Sequence, residues 1–251
     1  MIAAVLLAAL ALPPMVRVGG GEVQPFFKLR PAAKDQARAP VAKGVKVAPF
    51  WLDVVPVTQA EYLAFVTAQP KWRRSQVPRL FADAQYLSRW KADLALPSPE
   101  WGRAPVTQVS WFAARAYCAS RGARLPTLAE WELALLDEGR EKDLVTRRIL
   151  DWYQAKRGAR PQPVGEGPQN GYGVEDLVGL VWEWTLDFDA SPVADDARGP
   201  AGAGGLFCGS GGAEAVAPGD QASFLRYAFR SSLKASYTTQ DLGFRCAKDE
   251  R

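Results

Sequence analysis

Pro105-Val-Thr-Gln-Val-Ser-Trp111, running on through Ala116-Tyr-Cys118 to Arg124-Leu-Pro-Thr-Leu-Ala-Glu-Trp-Glu132, holds two helix starts and one helix stop within 28 residues. Ser110 offers a side-chain oxygen to the free N–H groups of a helix running through Ala113, Ala116 and Tyr117 to Arg121. Gly122 supplies the stop, because it takes left-handed backbone at no steric cost. Thr127-Leu128-Ala129-Glu130 is a capping box, in which the Thr hydroxyl and the Glu carboxylate satisfy each other's backbone N–H groups. It opens a helix expected to turn Trp131, Leu135 and Leu136 inward. Upstream, Thr58-Gln59-Ala60-Glu61 repeats the device, with Tyr62, Phe65 and Val66 as the apolar stripe behind it.

Outside these helices, regular pattern is scarce. Met15-Val-Arg-Val-Gly-Gly-Gly-Glu-Val23 alternates around glycines as an edge strand with a turn does. Residues 28–48 are rich in Lys, Arg, Ala and Pro without periodicity and read as a surface loop. Residues 156–172 and 190–222 are Gly/Pro-rich. The fold class that follows is α+β, with short helices, short strands and much irregular backbone. Such a chain has fewer ladder hydrogen bonds per residue and needs staples, either disulfides or bound ions.

The chain has 251 residues, a formal net charge of +4, three cysteines and no histidine. Without histidine there is no Ser-His-Asp or Cys-His catalysis and no imidazole-ligated zinc, iron or copper. Acid–base chemistry would fall to carboxylates, Lys, Tyr or Cys. The positive charge is spread along the chain, and its densest runs, Lys71-Trp-Arg-Arg74 and Arg147-Arg148, read as solvated faces, so no nucleic-acid partner is expected. No flexible linker divides residues 15–251, which read as one domain. Ile2–Leu12 is apolar but too short to span a bilayer, so no transmembrane segment is expected. Residues 1–14 read as a signal peptide with cleavage near residue 11, after Ala9-Leu10-Ala11, although the basic residues that usually precede such a run are missing. A buried N-terminal strand, or a start codon further upstream, is the competing reading. The expected location is secreted or periplasmic.

Five segments together resemble one family. Met15-Val-Arg-Val-Gly-Gly-Gly, Phe50-Trp-Leu-Asp-Val-Val-Pro-Val-Thr-Gln-Ala-Glu-Tyr62, the 105–132 stretch, Asn170-Gly-Tyr-Gly-Val-Glu-Asp-Leu-Val-Gly-Leu-Val-Trp-Glu-Trp184 and Leu242-Gly-Phe-Arg-Cys-Ala247 occur in the order and spacing of the formylglycine-generating-enzyme (sulfatase-modifying-factor) family. The resemblance implies that family's variant of the C-type-lectin fold. It implies a disulfide between Cys118 and Cys246, with Cα atoms about 4.4–6.8 Å apart and a stabilisation of roughly 4–5 kcal/mol in the chain-entropy model. Two reduced core thiols are the alternative.

The same resemblance removes the family's oxidation chemistry. Active relatives bind Cu(I) through two thiolates. Here the first of those positions falls near Ala213 and the second near Phe224, while Cys208 aligns with a turn glycine in Phe207-Cys-Gly-Ser-Gly-Gly212. No copper is expected. The family's iron-dependent branch needs a histidine cluster, so no iron is expected either. Ca2+ is implied at Gly179, Val181 and Glu183, with Leu180 where the family has Asn and a water able to take that ligand's place; alternatively, Glu183 hydrogen-bonds its own loop. The family's second calcium loop, expected between residues 150 and 168, has no matching Asn…Asp pair.

Three functions follow from the likeness. One is a binding or scaffold protein, without oxidase activity, that meets a protein or peptide through loops 72–104 and 190–222. Another is an enzyme on a peptide or small molecule, of the siderophore-tailoring kind, using Cys208, Ser210, Arg226, Tyr227 and Arg230, which would line the family's substrate groove. The third, formylglycine formation, needs ligands this chain lacks. Trp111, Trp131, Trp182 and Trp184 read as core aromatics; Trp72, Trp90 and Trp101 lie in a variable insertion where an exposed ring beside Lys71 and Arg73 suits contact.

Overall fold

Two segments distant in sequence frame the molecule. In the computed structural model, which describes residues 13–23, 44–136, 142–154, 162–189, 229–230 and 232–250, strand β1 (Met15–Val18) pairs antiparallel with β4 (Phe50–Asp53), and β4 pairs antiparallel with the closing strand β7 (Ala247–Asp249). Val18, Phe50, Leu52 and Ala247 turn inward from this sheet and are buried. A second ribbon joins β2 (Gly21–Val23) to β3 (Val45–Val47). β3 lies within the stretch expected to be loop; Val45-Lys46-Val47 is three residues long, too short for alternation to reveal it.

The helices begin where their caps predict. α1 spans Gln59–Ala68, with both halves of the Thr58/Glu61 capping box formed. α2 spans Trp111–Ser120, with Ser110 Oγ accepting from Ala113 N–H at 3.2 Å, and Gly122 follows at φ +67°. α3 spans Leu128–Leu136 behind its own box: Glu130 N–H donates to Thr127 Oγ1 and Thr127 N–H to Glu130 Oε2. A fourth helix, α4 (Lys142–Gln154), had no sequence-level prediction. It sets Ile149, which is buried, and Trp152, whose ring lies 4.5 Å from that of Trp182, against the core.

The core is aromatic. Tyr62 of α1 stacks with Tyr117 of α2 at 5.9 Å, and Phe244 meets both edge-on. The Tyr62 and Tyr86 hydroxyls share a hydrogen bond of 2.7 Å, and Tyr86 donates on to the Trp72 carbonyl, so this buried polar pair is satisfied. Two further strands, β5 (Trp182–Glu183) and β6 (Leu242–Gly243), pair in parallel. Gly243 is required there by close approach: a Cβ on it would stand 2.6 Å from the Val106 carbonyl oxygen.

Candidate functional site

The end of α2 and the last strand meet at a staple. Cys118 and Cys246 form a disulfide across 128 residues of sequence with Cα atoms 5.5 Å apart, inside the expected range. Beside it, the Asp53 carboxylate receives both Nη atoms of Arg121, at 2.9 and 3.0 Å, and the Cys246 backbone N–H at 2.9 Å. Burial pushes the Asp53 carboxyl upward and the Arg121 guanidinium opposes it. The pair thus binds the cysteine-bearing strand to α2 a second time, by charge-assisted hydrogen bonds in place of a covalent link.

Thirteen residues of the 170–184 motif lead to a second buried ion pair. Arg245 and Glu183 side chains have no solvent exposure. Arg245 Nε donates to both Glu183 oxygens, at 3.0 and 2.8 Å, and Nη2 donates to Oε1 at 2.8 Å. The remaining Arg245 donors go to the carbonyls of Asp53, Val54 and Glu175. Trp131 Nε1 adds a donor to Glu183 Oε2 at 2.8 Å. A buried charge is tolerable only when paired and fully hydrogen-bonded, and this one is.

An aromatic row runs from the core to the surface. Trp184, buried, meets Phe188 at 5.1 Å; Phe188 meets Trp111 at 5.8 Å; Trp111 meets Phe112 at 5.5 Å; Phe112 meets Phe81 at 5.3 Å. Trp111, expected in the core, is half-buried: its Nε1 donates to the Thr185 carbonyl, and Arg115 lies 5.3 Å over its ring. Of the three tryptophans in the 72–104 insertion, Trp90 is buried and donates to the Gln59 side chain. Trp72 and Trp101 are half-buried, and Arg89 lies over Trp101 at 5.7 Å.

Residues 7–250 match the Sulfatase-modifying factor enzyme 1-like domain, FGE-sulfatase. The chain belongs to this family. Similar curated proteins include the inactive C-alpha-formylglycine-generating enzyme 2 of Bos taurus, 30% identical over 93% of this chain and 87% of that one. The formylglycine-generating enzyme of Streptomyces coelicolor is likewise 30% identical, over 93% of this chain and 88% of its own length. The crystal structure of CarF shares the fold, with a TM-score of 0.50 at 18% identity over 96% of this chain and 99% of that one.

For this FGE-sulfatase member, the predicted site residues fall unevenly. Cys208, Ser210, Arg226 and Tyr227, and the 190–222 loop, lie outside the described residues. Arg230 is half-buried and follows Phe229, whose ring lies 5.7 Å from that of Trp182 of β5. The calcium expectation requires correction at Glu183. Its carboxylate does not point into its own loop. Four donor contacts from Arg245 and Trp131 take up the lone pairs of its two oxygens, so as placed it does not fit a Ca2+ ligand. Among the described residues, no three His, Cys, Asp or Glu side chains converge as a metal cluster. What sequence reading missed is Arg245, Asp53 and Arg121. The motifs contain Asp53 and Arg245, but no periodicity tells that they are buried.

Proposed function

We propose that this chain is a non-oxidising binding member of the FGE-sulfatase family. One observation carries the reading. The chain has three cysteines, and two of them are bonded to each other. A single remaining thiol, Cys208, cannot form the two-thiolate copper site that the family's oxidation motif implies. Relatives named as inactive formylglycine-generating enzymes, spread over more than nine-tenths of this chain, support the same reading. The reading does not rest on calcium, the Glu183 carboxylate being committed to Arg245.

The contacts with a protein or peptide are assigned to loops 72–104 and 190–222, the second outside the described residues, because loops on a fixed scaffold are where binding residues concentrate. Export to the periplasm or exterior belongs to the same proposal. A native disulfide suits an oxidising compartment, and among the described residues no helix is long and apolar enough to cross a membrane.

A Cu(I) titration of the intact chain against a competing chelator tests the proposal. The expected result is no tight stoichiometric binding. Stoichiometric binding that disappears in Cys208→Ala would overturn it in favour of formylglycine formation. The tailoring enzyme is the other outcome: turnover of a candidate peptide or small molecule that vanishes in Arg226→Ala and Tyr227→Phe would equally overturn the binding reading.

A further inference from the structure

Between Pro70 and Ala95 stand six cations, Lys71, Arg73, Arg74, Arg79, Arg89 and Lys91, against two carboxylates, Asp83 and Asp93. That balance of +4 equals the formal net charge of the whole chain. Both carboxylates are already committed within the fold. Asp83 accepts from the backbone N–H groups of Gln85 and Thr238 and from the Thr238 hydroxyl. Asp93 accepts from the Ser75 N–H and hydroxyl. Three of the arginines are held in place: Arg73 donates to the Val66 and Thr67 carbonyls, Arg74 to the Trp90 carbonyl, and Arg89 to Gln240. These bonds tie the segment down around the exposed Arg79.

The same segment exposes apolar side chains. Leu80 is 74% exposed and Phe81 37% exposed. Phe81 is not an isolated surface ring, because it abuts Phe112 and, through Trp111, the row that ends in the buried Trp184. An exposed aromatic with Arg79 two residues before it, joined to a ring row that carries Arg115 over Trp111, has the composition of a binding hot spot.

We infer that the face formed by Leu80, Phe81 and Phe112, with Arg79 and Arg115 beside it, docks an acidic protein segment bearing leucine or aromatic anchors. The inference rests on the binding reading above and names its partner class. A protein fits better than an anionic membrane. Membrane insertion calls for several apolar side chains projecting together from one tip, whereas here only Leu80 stands far out. Phe112, Trp111 and Trp72 are half-buried. Forked guanidinium groups match carboxylates in geometry as well as charge.

The test pans a random-peptide display library against the intact, disulfide-bonded chain and measures the enriched peptides on Arg79→Glu/Leu80→Ser. Both residues are exposed, so this variant keeps its fold, and an unchanged Tm verifies that. The expected result is enrichment of Asp/Glu-rich peptides with Leu, Phe or Trp. Their affinity should fall about tenfold or more in the variant and drop with added salt. Peptides that are neutral or basic overturn the inference. Acidic peptides that bind the variant equally well also overturn it, yet leave the binding reading standing. No enrichment at all overturns this face and removes support for binding, while the copper titration judges the family chemistry separately. Co-sedimentation with phosphatidylserine vesicles that is lost in the variant would assign the face to membranes instead.

Discussion

Arg245 and Glu183, 62 residues apart, are a mutually saturated ion pair with no solvent exposure on either side chain. Removing one partner leaves the other charged and buried, which costs about 3–5 kcal/mol. Arg245→Met and Glu183→Gln should each lower the unfolding free energy obtained from urea melts by that amount. The double variant should lose less than the two single losses added together, since neither charge is then stranded. Single-variant losses below about 1 kcal/mol would show that the pair does not hold the 170–184 segment to the last strand.

The disulfide closes a long loop of chain. With a sequence separation of 128 between its ends, the chain-entropy model assigns it about 5 kcal/mol, and measured losses on removing such bonds run about 2–5 kcal/mol. Cys118→Ala/Cys246→Ala should unfold at correspondingly lower urea. Added reductant should shift the wild-type midpoint toward that of the double variant and leave the variant unchanged. A reductant effect of the same size on both would place the stabilisation elsewhere.

How far the sequence disclosed the fold depends on the range of the interaction. Helix starts at Thr58, Ser110 and Thr127 were readable because a cap acts within four residues. α4 was not, because five of its thirteen residues are charged and its inward positions, Ile149 and Trp152, become meaningful only against Trp182, some thirty residues on. The partner of Glu183 was misplaced for the same reason. A motif displays the carboxylate, but only the folded chain brings Arg245 to it. The family resemblance, not periodicity, supplied the Cys118–Cys246 pairing. The exposed Phe81 was unreadable for the converse reason: an apolar residue in a loop is buried more often than displayed, and neighbours such as Phe112 decide it.

The capping boxes provide a local test. Thr58→Ala and Thr127→Ala each remove one acceptor for a helix N–H, and each should cost about 1 kcal/mol, within a range of about 0.5–2. The Thr127 site has a further constraint, because the Leu128 N–H donates to Asp187 at 2.8 Å and so ties the start of α3 to the segment after β5. Asp187→Ala should therefore destabilise as well, and combining it with Thr127→Ala should be non-additive, the two residues serving the Leu128 and Glu130 N–H groups of one helix end. Strict additivity in urea melts would argue that the two caps act independently.

Acid should weaken the closing strand in a defined window. Asp249 of β7 accepts from Arg124, which also grips Glu130 of α3 at 2.7 Å. The Arg124 hydrogen bonds hold the Asp249 carboxyl below its ordinary value of 3.8. A carboxyl depressed in the folded state binds fewer protons there than in the unfolded chain. Its contribution is therefore present above pH 3.8 and lost as pH falls through the lower folded value. The Asp249 side chain is 76% exposed, so solvent screening limits the effect to at most about 1 kcal/mol. Asp249→Asn should then lower Tm by no more than about 2–4 °C near neutral pH, and the gap from wild type should close in strong acid. A gap that persists unchanged at pH 2 would mean that the variant acts through strand pairing and not through the charge it removes.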